Sequence, residues 1–236
     1  MSGVRNQEHG VAAAATLSEP TRRRIYLYVI DQQTPVGKDT VAAAAGVPRS
    51  VAAFHLDKLV AVGLLRADYR RLPGRGGPGA GRPAKLYTRS DQEVSVSFPE
   101  RRYDLAARVL AKAVEASGQF GQPVTHSLNQ AARDCGRQLV ADNVGHSARP
   151  LRSISKKEAL ERLAGVLAAQ GYEPRLEGDS VRLGNCPFHA LAEDHRQLVC
   201  TMNLELVKGA AQEAGLPETA AQLLSSEDGC CVVITG

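Results

Sequence analysis

The residues best suited to bind or transform something lie near the C-terminal end of the chain. Residues 185–200 read Asn-Cys-Pro-Phe-His-Ala-Leu-Ala-Glu-Asp-His-Arg-Gln-Leu-Val-Cys, and Cys230-Cys231 follow further on. Thiolates gather around soft or borderline metals, because the ion offsets the cost of deprotonating and burying them. Zinc would take Cys186, Cys200, one of Cys230 and Cys231, and His189 as a closed tetrahedral site. An iron–sulfur cluster (4Fe–4S) would take the three cysteines and a weak fourth ligand, with Glu193 as an alternative to His189. Thirteen residues separate Cys186 from Cys200 and twenty-nine separate Cys200 from Cys230. Neither gap is a tight zinc-finger spacing, so cluster, zinc and unmetallated core thiols all stay open.

These side chains can meet only if the surrounding elements bring them together. From Phe188 to about Ala214 the pattern is helical, with Leu191, Leu198, Met202 and Leu206 on one face. Steps of four, three and four place His189, Glu193, Arg196 and Cys200 together on the other. His195 falls on the leucine face and reads as structural. Cys230 and Cys231 open a final strand to Thr235. Strand neighbours point to opposite sides, so one of the pair faces a site and the other packs. Upstream, Ser155-Lys156-Lys157-Glu158 is a capping box. It opens a helix carrying Leu160, Leu163 and Leu167. Two short strands, 173–177 and 180–183, follow around a Gly178-Asp179 turn.

The middle of the chain predicts two helices. One opens at Phe98-Pro99-Glu100 and runs to about Ser117, with Tyr103, Leu105, Val109, Leu110 and Ala113 as its stripe. The other runs from about Thr125 to Asp142, with Cys135 on its apolar face as a packing residue. The first is expected at a dimer interface, although its stripe also suits packing within its own chain. Residues 144–154 read as a linker.

The N-terminal part has a different chemistry. Residues 1–90 carry a net charge of +8 and residues 91–236 a net charge of −4. A basic module fused to a mildly acidic one points to a polyanion partner for the first. Residues 1–17 are small and polar around an alanine run and read as a flexible arm. Ser18-Glu19-Pro20 starts a helix through Ile30, with Ser18 as its cap. Gln33 to Gly37 breaks it, and Lys38 to Ala45 is a short second helix. Gly46-Val47-Pro48 turns the chain. Arg49 to Val62 is a third helix, with Val51, His55, Leu56, Leu59 and Val60 at helical spacing and His55 as a packed residue. Leu64-Leu65-Arg66 and Lys85-Leu86-Tyr87-Thr88 are strands around a Gly/Pro/Arg loop, residues 73–83. Thr34 to Lys38 is no phosphate loop, because Gln32 stands where its first glycine is required.

Helix, helix, turn, helix and hairpin in this order make a winged helix-turn-helix. Arg49, Ser50, Ala53, Phe54 and Lys58 would face duplex DNA from the third helix. Arg75, Arg82 and Lys85 would do so from the wing. Arg49 to Leu59 with Gly63-Leu64-Leu65 resembles the ArsR-like winged-helix repressors, and Gly81 to Tyr87 resembles their wing, over about residues 18–92. The full order, with a helical middle and three spaced C-terminal cysteines, resembles the SufR-type iron–sulfur repressors. That resemblance implies Cys186, Cys200 and Cys230 as cluster ligands. The Cys-Pro-Phe-His segment and the paired Cys230-Cys231 depart from that family.

The expected fold is α+β and mostly helical. A winged helix-turn-helix (18–95) follows the arm. A helical linker and dimerisation region (96–150) and a small α+β sensor domain (151–236) complete it. The expected function is a cytoplasmic, homodimeric transcription regulator, a repressor on a palindromic operator, whose DNA affinity is set by the cysteine centre. The alternative is a winged-helix regulator that answers an organic effector, with structural cysteines or a structural zinc. An enzyme is not expected, since no substrate pocket or oxyanion site is legible around Cys186, His189 and Glu193. No basic segment followed by an apolar stretch reads as a secretory signal, and no apolar run suits a membrane. Five cysteines fit cytosolic thiols or metal ligands better than a disulfide scaffold.

Overall fold

Alanine has the highest helix propensity, and the alanine run near the N-terminus folds accordingly. The computed structural model describes residues 2–70, 83–143, 154–224 and 232–236, with the backbone alone for residues 2–6. Two compact units result, Val4–Val96 and Ser97–Gly236. The expected flexible arm is instead a helix, α1 (Ser2–Thr16), packed in the first unit. Its inward residues are small. Ala13 is buried, and Gly10 lets the backbone approach the Ser95 carbonyl, where a Cβ would come within 2.4 Å. A face of Gly and Ala carries little hydrophobic signal, so the sequence pattern hides it.

The next helix, α2 (Pro20–Asp31), is capped by Glu19 rather than Ser18. The Glu19 carboxylate accepts from the Thr21 and Arg22 amides, while the Ser18 hydroxyl donates to the Ala15 carbonyl. After β1 (Val36–Gly37) comes α3 (Lys38–Ala45), which ends at Gly46 in the left-handed conformation that favours glycine. Pro48 then caps α4 (Arg49–Ala61). Ile25, Val29, Val41, Leu56, Leu59 and Leu65 close the core beneath them. Strands β2 (Leu65–Arg70) and β3 (Ala84–Arg89) pair antiparallel, Leu65 opposite Arg89 and Arg70 opposite Ala84. The segment expected only to break α2 also supplies β1, which pairs with β3 to give the order β1-β3-β2. The rest of the wing, 71–82, lies outside the described residues.

The second unit begins with α5 (Tyr103–Phe120) and α6 (Val124–Asn143). Phe98-Pro99-Glu100 does not open α5, which starts after Arg102. Then come α7 (Lys156–Ala168), with the capping box of Ser155 and Glu158, and the hairpin β4 (Pro174–Glu177) and β5 (Ser180–Leu183). They are followed by α8 (His189–Asp194), α9 (Arg196–Ala214), a 3-10 turn (Glu218–Ala220), β6 (Ala221–Leu223) and β7 (Val232–Thr235). The sheet order is β4-β5-β7-β6. The expected linker 144–154 lies outside the described residues except for Ile154, which packs on the core.

One core serves this whole unit. Leu105, Val109 and Ala113 of α5 are buried in it with Leu128, Leu163, Met202 and Leu206. The expected separation of a helical linker (96–150) from a sensor domain (151–236) is therefore corrected. Helices α5 and α6 cannot stand apart, because their apolar faces are covered by their own chain. The pair α6–α9 is tightest at two glycines. A Cβ on Gly136 would lie 1.9 Å from the Leu206 carbonyl oxygen, and one on Gly209 2.1 Å from that of Arg133. Only backbones without side chains approach so closely.

The fold is α+β and mostly helical, with a helix-turn-helix unit followed by a helical unit that carries a small sheet. Among the described residues no helix is long and apolar enough to cross a membrane.

Candidate functional site

Helix α4 buries Ala52, His55, Leu56 and Leu59 and leaves the opposite stripe to solvent. That stripe is Arg49, Ser50, Ala53, Phe54, Asp57 and Lys58, with Ala53 half-buried and the others exposed. The Arg49 guanidinium is 3.1 Å from Asp39 of α3, with both side chains mostly in water. Such a pair contributes little and yields readily to a phosphate. Phe54 is 55% exposed, and the Lys58 ammonium sits 5.8 Å from its ring centre. This cation–π contact holds the charge on the outer face. His55 is buried and accepts from the Arg22 guanidinium at 3.3 Å. It packs α4 onto α2 and does not reach outward.

Lys85, grouped above with the DNA contacts, is otherwise engaged. Its ammonium donates to Asp57 at 2.6 Å, and the Tyr87 hydroxyl donates to the same carboxylate oxygen at 3.1 Å. The Asp57 hydrogen bond holds the Lys85 pKa above its ordinary value. Lys85 therefore fastens strand β3 to α4 through a pair that is itself partly in water. The clamp joins residues 28 and 30 positions apart, which no local pattern reveals. Arg75 and Arg82 lie outside the described residues. Tyr69, 61% exposed on β2, was not singled out from the sequence but stands at the base of the wing.

Residues 17–67 match the family model of a helix-turn-helix domain. The chain carries a DNA-binding module of that kind, and its turn and outer helix are α3-turn-α4. No curated protein and no solved structure matches the chain.

In the second unit Cys186 lies buried in the loop between β5 and α8, and Cys200 is half-buried in α9. Cys230 and Cys231 lie outside the described residues. The expected single helix from Phe188 to Ala214 is broken. His195 adopts φ −130° and ψ 43°, ending α8 and starting α9. The four-three-four phase linking His189, Glu193, Arg196 and Cys200 is therefore lost. His189 and Glu193 are both exposed on α8, 3.4 Å apart, so His189 is not turned into a buried centre. His195 is exposed at the break rather than set on a leucine face, and Leu198 is also exposed. Val199 takes the inward position. Among the described residues no three His, Cys, Asp or Glu side chains gather as a metal site.

The Cys186 loop is nevertheless strongly fixed. The Arg101 guanidinium donates to the Cys186 carbonyl at 3.2 Å and to the Asn185 side-chain oxygen. The Asn185 amide donates to the Gly171 and Glu100 carbonyls at 2.6 and 2.9 Å. The Arg102 amide donates to the Pro187 carbonyl at 3.0 Å. Asn185 and Arg101 are residues that sequence reasoning missed. Their contacts span 84 and 85 positions, and neither type advertises such a role.

Proposed function

We propose that the chain is a transcription regulator that represses from a palindromic operator as a homodimer, with a cysteine-ligated centre in its second unit setting operator affinity. The observation that carries the regulator reading is the outer face of α4. It sits within a matched helix-turn-helix segment, and its cations and small residues stay in solvent where a major groove would meet them. Arg49 and Lys58 would contact phosphates, and Ser50, Ala53 and Phe54 would face base edges.

Dimerisation has support on α5. Leu105, Val109 and Ala113 are used internally, while Tyr103, Ala107, Leu110 and Val114 recur beside them in steps of four, three and four, Leu110 half-buried against the core and the other three exposed. Tyr103 and Val114 are 43% and 60% exposed. An apolar seam with three members in water fits a second copy of the same helix.

The sensing reading rests on donor chemistry. Cys186 is a thiol buried in the apolar core and Cys200 is a half-buried thiol of α9, and a metal would offset the cost of their deprotonation. With Cys230 they would hold a 4Fe–4S cluster or zinc, in keeping with the resemblance to SufR-type repressors. When bound, such a group would supply a labile crosslink between segments distant in sequence. The chain's own contribution is to fix the Cys186 loop, through Asn185 and Arg101, against residues 97–102.

Two measurements on full-length protein test this. Selection from a random duplex library is expected to enrich a sequence with inverted symmetry. Anaerobic purification with iron, sulfide and zinc analysis is expected to give a stoichiometric metal that Cys186→Ser removes. Unenriched libraries would overturn the regulator reading. Full metal retention in Cys186→Ser, or metal-free protein after reconstitution, would overturn the centre.

A further inference from the structure

A cleft of about 400 Å³ opens between α5 and α6 in the second unit. Three cations line it, Arg102, Arg108 and Lys112, and the buried Leu105 and Val109 with Leu139 supply its apolar part. Its volume lies within the range of small-molecule sites, about 300–1,000 Å³.

Among the described residues Asp142 is the one carboxylate that lines this cleft, and it accepts from the Gln138 amide. Asp104, outside the lining, takes both Arg102 and Arg108. Lys112 has no ion pair among the described residues. Arg102 is held in place as well as charged, since its side chain is 23% exposed and donates to the Gln170 oxygen. Its Nε and Nη2 donate to the Asp104 carboxylate and its Nη1 to Gln170, so an anion engages this guanidinium by replacing one of those acceptors, through paired hydrogen bonds of the same kind. The thiol of Cys135 also lines the cleft. Burial pushes its pKa up, while the nearby Lys112, Arg108 and Arg102 oppose that rise.

We propose that this cleft binds a small organic anion, a carboxylate or phosphate headgroup on a short apolar chain, with the three cations holding the headgroup and the leucine and valine side chains taking the chain. The site goes beyond the cysteine centre and rests on the regulator reading only for its consequence. That consequence runs through Arg102. Its side chain lines the cleft, and its amide holds the Pro187 carbonyl beside Cys186. An anion that draws Arg102 from Gln170 or Asp104 therefore acts on the residue that anchors the cysteine loop.

The test uses full-length protein and three probes of equal chain length, octanoate, octyl phosphate and octanamide. Iodoacetamide labelling of Cys135 is followed by peptide mass spectrometry, with protein denatured before labelling as the control. Octanoate or octyl phosphate is expected to slow labelling of Cys135 in the folded protein and not in the denatured one, and the stronger of the two identifies the headgroup. Lys112→Glu is expected to weaken that protection about tenfold, by replacing an attractive charge with a repulsive one. Lys112 is exposed, so an unchanged melting temperature accompanies the loss. Equal protection by octanamide, equal protection of Lys112→Glu, or no protection by either anion would each overturn the proposal. Labelling is read on the protein alone, so failure of DNA binding leaves this result standing and failure here leaves the DNA reading standing.

Discussion

The two units carry their candidate chemistry in opposite ways. In the first, the side chains that would touch a partner project from one face of a single helix, α4, and the core beneath only has to hold that helix steady. In the second, the donors are spread over a loop, a later helix and the segment before β7, and they work together only if distant elements are assembled first. A surface carried on one helix is readable from local periodicity. A centre spread over several elements depends on long-range packing, which is where a sequence pattern carries least information.

That contrast can be broken by substitution. The largest expected effect is Leu56→Ala, which removes a fully buried side chain from beneath the α4 face. A loss of about 2–5 kcal/mol is expected, read as lost amide protection within Val4–Val96. In the second unit Gly136→Ala reverses the usual helix rule. In an isolated helix the change would stabilise by about 1 kcal/mol. Here the new Cβ meets the Leu206 carbonyl 1.9 Å away, and both groups are backbone-bound. A net loss of about 1–3 kcal/mol is expected from overpacking, read by thermal melting. If Gly136→Ala were neutral, the close α6–α9 crossing would be wrong.

Two smaller effects sharpen the picture of the first unit. Lys58→Ala is expected to weaken DNA binding across sequences and to lower the salt slope by about one, as for a lost phosphate contact. A sequence-dependent loss would instead make Lys58 a base reader. Glu19→Gln has the smallest effect and a pH signature. Burial raises the Glu19 pKa, but hydrogen bonds from the Thr21 and Arg22 amides outweigh this and leave it below the ordinary carboxylate value. A depressed carboxylate adds stability above its unfolded pKa and loses it as pH falls through the folded one. The variant is therefore expected to melt lower at neutral pH, with the difference closing in acid. A constant difference at all pH values would assign the cap to geometry alone.

Much of the architecture was legible because it is local. The capping box at Ser155, the two-residue hairpin turn at Gly178-Asp179 and the turn at Gly46 are each fixed by a few neighbouring residues. Helix α1 was not legible, because its buried face is glycine and alanine. The break at His195 was not legible either. The apolar pattern continues through it in sequence, although the backbone at His195 leaves the helical region. The phase argument for His189 and Glu193 failed with that break. The α4 residues share one face because periodicity within one unbroken helix is a geometric necessity. The engagement of Lys85 by Asp57, and of Arg101 by Asn185, depends on which elements meet, and no spacing encodes that.

The most direct test is of the α4 face. Fluorescence anisotropy on the duplex enriched from a random library would compare the full-length protein with the double variant Arg49→Glu, Lys58→Glu across a salt series. The account predicts that log affinity of the wild type falls linearly with log salt. It also predicts that the variant loses about a hundredfold in affinity at moderate salt, because two attractive charges become repulsive. Equal affinity of the two proteins, with folding intact, would contradict the assignment of α4 as the surface that reads DNA.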